Sequence, residues 1–184
     1  LSNFQAFAAN AFFTAGMVVF EIPTGIVADT IGRRVSYLAG TLTLMVTTLL
    51  YVLLWQMEGP FWAWAVVSML LGLGFTFFSG AVEAWLVDAL DATGFTGSLE
   101  AVFGRGQIVT GIGMLTGSVA GGFVAQATSL GVPFVMRAAV LVVMFAYAFF
   151  AMKDLGFEPK KSDSTMREMR TILDDSIEYG WRVP

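Results

Sequence analysis

Gly25-Ile26-Val27-Ala28-Asp29-Thr30-Ile31-Gly32-Arg33-Arg34 is a short polar turn between two long apolar runs, Phe4–Ala28 and Val35–Met57. About 20 mostly apolar residues suffice to cross the hydrocarbon core of a bilayer. The two runs therefore read as antiparallel membrane spans, and the doubly basic turn as their connection. Glu21, Gly25 and Asp29 recur every four residues and form one stripe along the end of the first span. Gly25 lets another helix backbone come close. Asp29 faces Arg33 and Arg34 within reach of charge-assisted hydrogen bonds, and Gly32 permits the tight turn that brings the arginines back.

Three further spans follow, Phe61–Leu90, Gly106–Ser129 and Val132–Met152, separated by short polar or turn-forming breaks such as Asp91–Arg105. The span over Phe61–Leu90 is long enough that it should tilt or project past the membrane. Composition agrees with a bilayer as solvent. Only 13% of the residues are charged, against about 25% in soluble domains, too few to cover a water-facing surface. The chain has no Cys and no His. Thiolate and imidazole catalysis, disulfides, and His- or Cys-ligated metals are thereby excluded, and no nucleophile–base pair points to an enzyme. No cofactor is implied. The net charge of -4 argues against a nucleic-acid partner.

Lys and Arg residues set the expected orientation. Arg33 and Arg34 follow the first span, Arg105 the third, and Lys153, Lys160, Lys161, Arg167, Arg170 and Arg182 the fifth. This alternation puts Leu1 outside and the C-terminus in the cytoplasm of a cell membrane. Residues 1–153 read as five membrane helices. Residues 154–184 read as a cytoplasmic linker, in which Met166, Met169, Leu173 and Ile177 recur at the spacing of an amphipathic helix. Leu1 in place of Met suggests that upstream sequence has been removed.

The pattern G-x-x-x-D-x-x-G-R-R in a short loop after a membrane helix resembles the signature loop of the major facilitator superfamily. The resemblance implies an all-α, polytopic bundle that is the N-terminal part of a 12-helix fold. The five spans then correspond to helices two to six. The implied partners are a first helix and a C-terminal six-helix bundle, besides lipid, a small-molecule substrate and protons. In that family the loop joins an acidic residue at the cytoplasmic end of the fourth helix and braces the outward-facing state. Asp88 is the candidate for that acid. Thr30 departs from the family pattern, which often has a basic residue there. Gly113-Met114-Leu115-Thr116-Gly117-Ser118-Val119-Ala120-Gly121-Gly122 is similar to the glycine-rich fifth-helix pattern of the drug/proton-antiporter branch, with Ser118 in the place of its proline. The resemblance implies that Gly113, Gly117, Gly121 and Gly122 pack helices closely at the central interface.

Glu21, Glu83 and Arg137 are ionisable residues well inside the apolar spans. Such residues are costly in lipid and mark a cavity, partner or pathway by default. Glu83 is the first candidate to bind a proton or a cationic substrate, and Glu21 the second. Glu21 has a plainer role open to it, bonding backbone groups freed near Pro23. Arg137 is explained by snorkelling to the headgroups. Span two, with Thr41, Thr43, Thr47 and Thr48 bonding their own helix, looks lipid-facing or supporting. Trp55, Phe61, Trp62 and Trp64 read as an interfacial belt. The leading expectation is a secondary active transporter working by alternating access, with proton-coupled efflux of small amphiphilic molecules. The alternatives are a proton-coupled nutrient symporter and, in a different class, a transporter-like membrane sensor or scaffold.

Overall fold

In a computed structural model, residues 2–78 and 81–159 are described. They form six helices in chain order: α1 (Asn3–Thr30), α2 (Arg33–Gln56), α3 (Phe61–Thr76), α4 (Ala81–Ala92), α5 (Leu99–Ala127) and α6 (Gly131–Ala151). With α3 and α4 counted together as Phe61–Ala92, five candidate spans are long and apolar enough to cross a membrane. The amphipathic helix expected after Ser164 lies outside the described residues.

Local chemistry sets the helix ends. Ser2 Oγ accepts from the Gln5 N–H at 3.3 Å, and the Gln5 side chain accepts from the Ser2 N–H at 2.9 Å, a reciprocal cap on α1. Ser98 Oγ likewise accepts from the Ala101 N–H at 3.3 Å, with Glu100 in the first turn. That cap starts α5 at Leu99, so Arg105 stands on a helix and not in the loop expected over Asp91–Arg105. The long third span is not one continuous helix either. Among the described residues α3 ends at Thr76, and Phe77–Phe78 form a tighter turn in which the Phe78 N–H donates to the Phe75 carbonyl at 3.0 Å. A hydroxyl from another helix reaches this turn. Ser36 Oγ, fully buried on α2, donates to Phe77 O at 2.9 Å.

The core is built from small residues. α1 packs chiefly on α3, and α2 lies between α3 and α6. Thr41, Thr47 and Thr48 are buried on α2, each hydroxyl donating to a carbonyl of its own helix at 2.6–2.9 Å. α2 is therefore lipid-facing on one side only. Leu42, Val46, Leu49 and Leu53 are its exposed stripe, while the threonine face is interior. At the opposite end of the bundle from Arg33, Phe61 and Trp62 pack against Phe12 at 6.3 and 6.4 Å between ring centres. Trp64 there donates to the Gly59 carbonyl at 3.1 Å.

The closest helix approach is between α1 and α3. A methyl group placed on Gly72 would meet Phe13 O at 2.5 Å, Met17 N at 2.8 Å and the Gly16 carbonyl carbon at 3.1 Å. All three are backbone atoms that cannot swing away. Two effects compete in Gly72→Ala. Helix propensity favours alanine by roughly 0.8–1 kcal/mol, whereas overpacking costs about 1–3 kcal/mol. Net destabilisation is expected, read as a lower midpoint of thermal unfolding in detergent; a raised midpoint would mean that α1 and α3 do not touch backbone to backbone.

Candidate functional site

Two features of the bundle combine charge with access: an ion cluster where α1, α2 and α4 end together, and an open cleft beside α4. The cluster forms because α1 stops at Thr30 and α2 begins at Arg33. Of the two residues between, Ile31 and Gly32, the glycine is at φ +135°, a backbone region that side chains rarely adopt. The sharp return puts the Arg33 guanidinium back over the last turn of α1. Arg33 Nη1 bonds Asp29 Oδ1, and Arg33 Nε lies 3.5 Å from Asp88 Oδ2 on α4. The Phe157 ring sits 5.6 Å from the same guanidinium, in cation–π range. The Arg33 side chain is only 14% exposed, so most of its charge is balanced by these neighbours and not by water.

Arg34 goes elsewhere. Its Nη2 donates to the Phe149 carbonyl near the end of α6 at 2.5 Å, and its guanidinium lies 5.2 Å from the Phe149 ring. The expectation that Asp29 faces both arginines therefore holds only for Arg33. Each arginine ties α2 to a different neighbour, Arg33 to α1 and α4, Arg34 to α6. Gly25 lies half-buried one turn before Asp29.

The chain past α6 supplies residues that sequence reasoning missed. Lys153–Pro159 folds back onto the cluster. Asp154 Oδ1 accepts from the Arg34 N–H at 2.8 Å, and Trp85 Nε1 on α4 donates to the Lys153 carbonyl at 2.7 Å. A lone Asp-x-Gly-Phe directly after a span that ends level with a basic turn is the only signal the sequence carries for this.

The cleft has a volume of about 630 Å³ and is walled by α1, α3, α4 and α5. Met17, Phe75, Phe78 and Phe103 give it an apolar, aromatic lining. Gln107 and Thr110 are polar, and Glu83 in the first turn of α4 is the one charged residue among those lining it. Glu21 is not part of this lining. It is exposed on α1, and the Phe20 and Glu21 carbonyls beside Pro23 are taken by the Thr24 hydroxyl, at 2.8 and 3.2 Å.

Gly113, Gly117, Gly121 and Gly122 stand apart from both features. Apart from the adjoining backbone of α5 and the chain neighbours, no described atom comes within 4 Å of where a side chain would start at any of them, and α5 has no buried residue. The close packing expected at this stripe is not made among the described residues. Backbone-to-backbone approach occurs instead at Gly16 and Gly72. No cluster of three or more His, Cys, Asp or Glu that could hold a metal ion occurs among the described residues.

Comparison with known proteins adds one match. A family model described as the Major Facilitator Superfamily matches residues 2–182. Neither the curated proteins nor the solved structures give a match.

The shared guanidinium makes the ion cluster testable by a double-mutant cycle. Arg33→Gln and Asp88→Asn are expected to be non-additive in unfolding free energy, with a coupling of about 0.5–3 kcal/mol typical of groups in one network. Because Asp88 is 29% exposed, solvent screening places the value toward the lower end. Strict additivity of the two substitutions would show that the Arg33–Asp88 pair contributes nothing.

Proposed function

This chain belongs to the major facilitator superfamily, an integral-membrane family of secondary transporters, and from that premise we propose that it exports small amphiphilic molecules in exchange for protons. The observation that carries the proposal is the cleft. Its volume of about 630 Å³ lies within the roughly 300–1,000 Å³ typical of small-molecule sites. Aromatic and thioether side chains line it, so an apolar ligand body is favoured there. A single carboxylate, Glu83, is the only charge on this wall. One acidic group in an apolar surround can hold either a proton or a cationic ligand, and occupancy by one excludes the other. Competition of that kind is enough to couple two opposed fluxes, provided the site faces the two sides of the membrane in turn.

Alternation requires a closure that can be released. In this reading Asp29, Arg33 and Asp88, with Gly25, Gly32 and Arg34 shaping and anchoring the turn, form that closure on the cytoplasmic side, and Leu1 lies outside. The cluster suits the role because it is made of ion pairs at helix ends. Such pairs hold firmly while matched and exchange for water when the ends separate. The open glycine face of α5, Gly113, Gly117, Gly121 and Gly122, is where a second bundle would close the other wall of the cleft. Glu21, on the same helix as Asp29 but outside the cleft lining, is the weaker candidate for the proton.

Proteoliposomes with an imposed pH gradient test the coupling, using tetraphenylphosphonium, an aromatic cation, as the transported probe. Glu83→Gln is expected to abolish gradient-driven accumulation of the probe, with at least a tenfold loss of initial rate. That scale follows from removing a charged partner worth about 1.5–3 kcal/mol. Transport by Glu83→Gln at the unsubstituted rate and with unchanged pH dependence would end the proposal.

A further inference from the structure

α2 begins without a capping side chain of its own. Gly32 is its N-cap residue, and its φ of +135° keeps Ser, Thr, Asp and Asn out of that position. The first N–H groups of a helix need acceptors, and the positive end of the helix dipole favours a negative one. Asp154, separated from Arg34 by 120 positions, supplies it. Its Oδ1 accepts from the Arg34 N–H at 2.8 Å. Its Oδ2 lies 2.6 Å from where a side chain on Gly32 would begin. The glycine's missing side chain is the space that the carboxylate occupies.

The segment carrying Asp154 is held at three other points. Trp85 Nε1 donates to the Lys153 carbonyl at 2.7 Å. Gly156 lies so close to α4 that a methyl group on it would meet Asp88 O at 2.6 Å and Ala92 Cβ at 2.9 Å. Phe157 places its ring beside the Arg33 guanidinium, 5.6 Å from the ring centre. The strap thus touches the backbone of Arg34, the backbone of Asp88 and the head group of Arg33.

We infer that Asp154 is a positioning residue of the closure. It caps α2 so that Arg33 is presented to Asp29 and Asp88, and the strap Lys153–Phe157 locks the ends of α2, α4 and α6 into one body. The inference rests on the reading of the Arg33 cluster as a closure. A strap that merely covered the bundle would need neither a carboxylate at the α2 terminus nor a glycine against Asp88. Gly32 and Gly156 both sit where an added side chain would displace the strap.

The test uses the full-length protein in proteoliposomes, with any other cysteines replaced and a single cysteine introduced by Gln107→Cys. Residues 1–184 contain no cysteine, and Gln107 is exposed in the cleft. The rate of its reaction with a membrane-impermeant maleimide, added on the side carrying Arg33, reads how far the closure is open. Arg33→Gln is the reference for an opened closure. Asp154→Ala is expected to raise the rate on the order of fivefold, the factor that follows from losing a helix cap. Asp154→Asn, whose side-chain oxygen still accepts from the Arg34 N–H, is expected to stay within about twofold of the unsubstituted rate. Gly156→Ala, which pushes the strap off Asp88 from its other side, is expected to act like Asp154→Ala. It decides the matter where Asp154→Ala does not accumulate.

Opening by Arg33→Gln with unchanged labelling in Asp154→Ala and Gly156→Ala would make the strap a passive cover. The inference would then fall while the closure stood. Equal opening by Asp154→Asn and Asp154→Ala would overturn the capping argument. No change in Arg33→Gln would remove the closure and the inference together.

Discussion

A guanidinium at the end of an apolar bundle has to be matched, and the matching of Arg33 determines how this end of the molecule is put together. Its side chain is mostly withdrawn from water. An uncompensated charge in such a place costs several kcal/mol after relaxation, more than any single apolar contact returns. The compensation comes from Asp29 on α1 and Asp88 on α4, with the Phe157 ring beside it. Three helix ends and the segment after α6 are therefore held level by one charge. Arg34 extends the same constraint to α6 through the Phe149 carbonyl.

Away from the ion cluster the packing obeys a different rule. Lipid tails are as apolar as leucine, so apolar side chains gain little by choosing a neighbouring helix over lipid. What does favour association is close contact and satisfied polar groups. The interior reflects that preference. Its fully buried side chains include Ser36, Thr41, Thr47, Thr48 and Ser68, and its tightest contact is the backbone of α1 against the backbone of α3 at Gly16 and Gly72. Large apolar residues such as Phe150, Tyr147 and Val143 lie on the outside, where hydrocarbon would surround them. A core of small hydroxyl residues inside a coat of large apolar ones is the reverse of a water-soluble bundle.

Five apolar stretches and the doubly basic turn between the first two were legible in the sequence because each is a local pattern of composition or spacing, whereas the acid at position 88 was reached only through the resemblance of that turn to a family's signature loop. The start of α5 was also locally encoded, in Ser98 followed by Glu100, yet Arg105 drew the boundary too late. The break after Thr76 was not legible. Phe75-Thr76-Phe77-Phe78 contains no proline, and the hydroxyl that bonds the turn, that of Ser36, comes from another helix. Asp154 was hidden for the same reason, since its partner lies on the far side of four helices in the chain. The glycines divide the same way. Gly113, Gly117 and Gly121 are conspicuous as a repeat, but Gly16 and Gly72 form the close contact as single residues on two separate helices. Periodicity reveals a face, and only a second chain segment decides whether the face is used.

α4 joins the two charged features mechanically. It is a helix of 12 residues with Glu83 in its first turn and Asp88 five residues later. At about 1.5 Å per residue the two carboxylates are separated by roughly 7–8 Å along the axis. Five residues also rotate about 140° around it, which turns Glu83 toward the cleft and Asp88 toward Arg33. Among the described residues α3 ends at Thr76 and α4 begins at Ala81. Within α4 the two carboxylates belong to one rigid helix, so a tilt or turn of that helix at Glu83 carries Asp88 along. The cleft and the ion cluster thus share one helix, and the strap after α6 is seated against its other end, at Asp88 and Ala92.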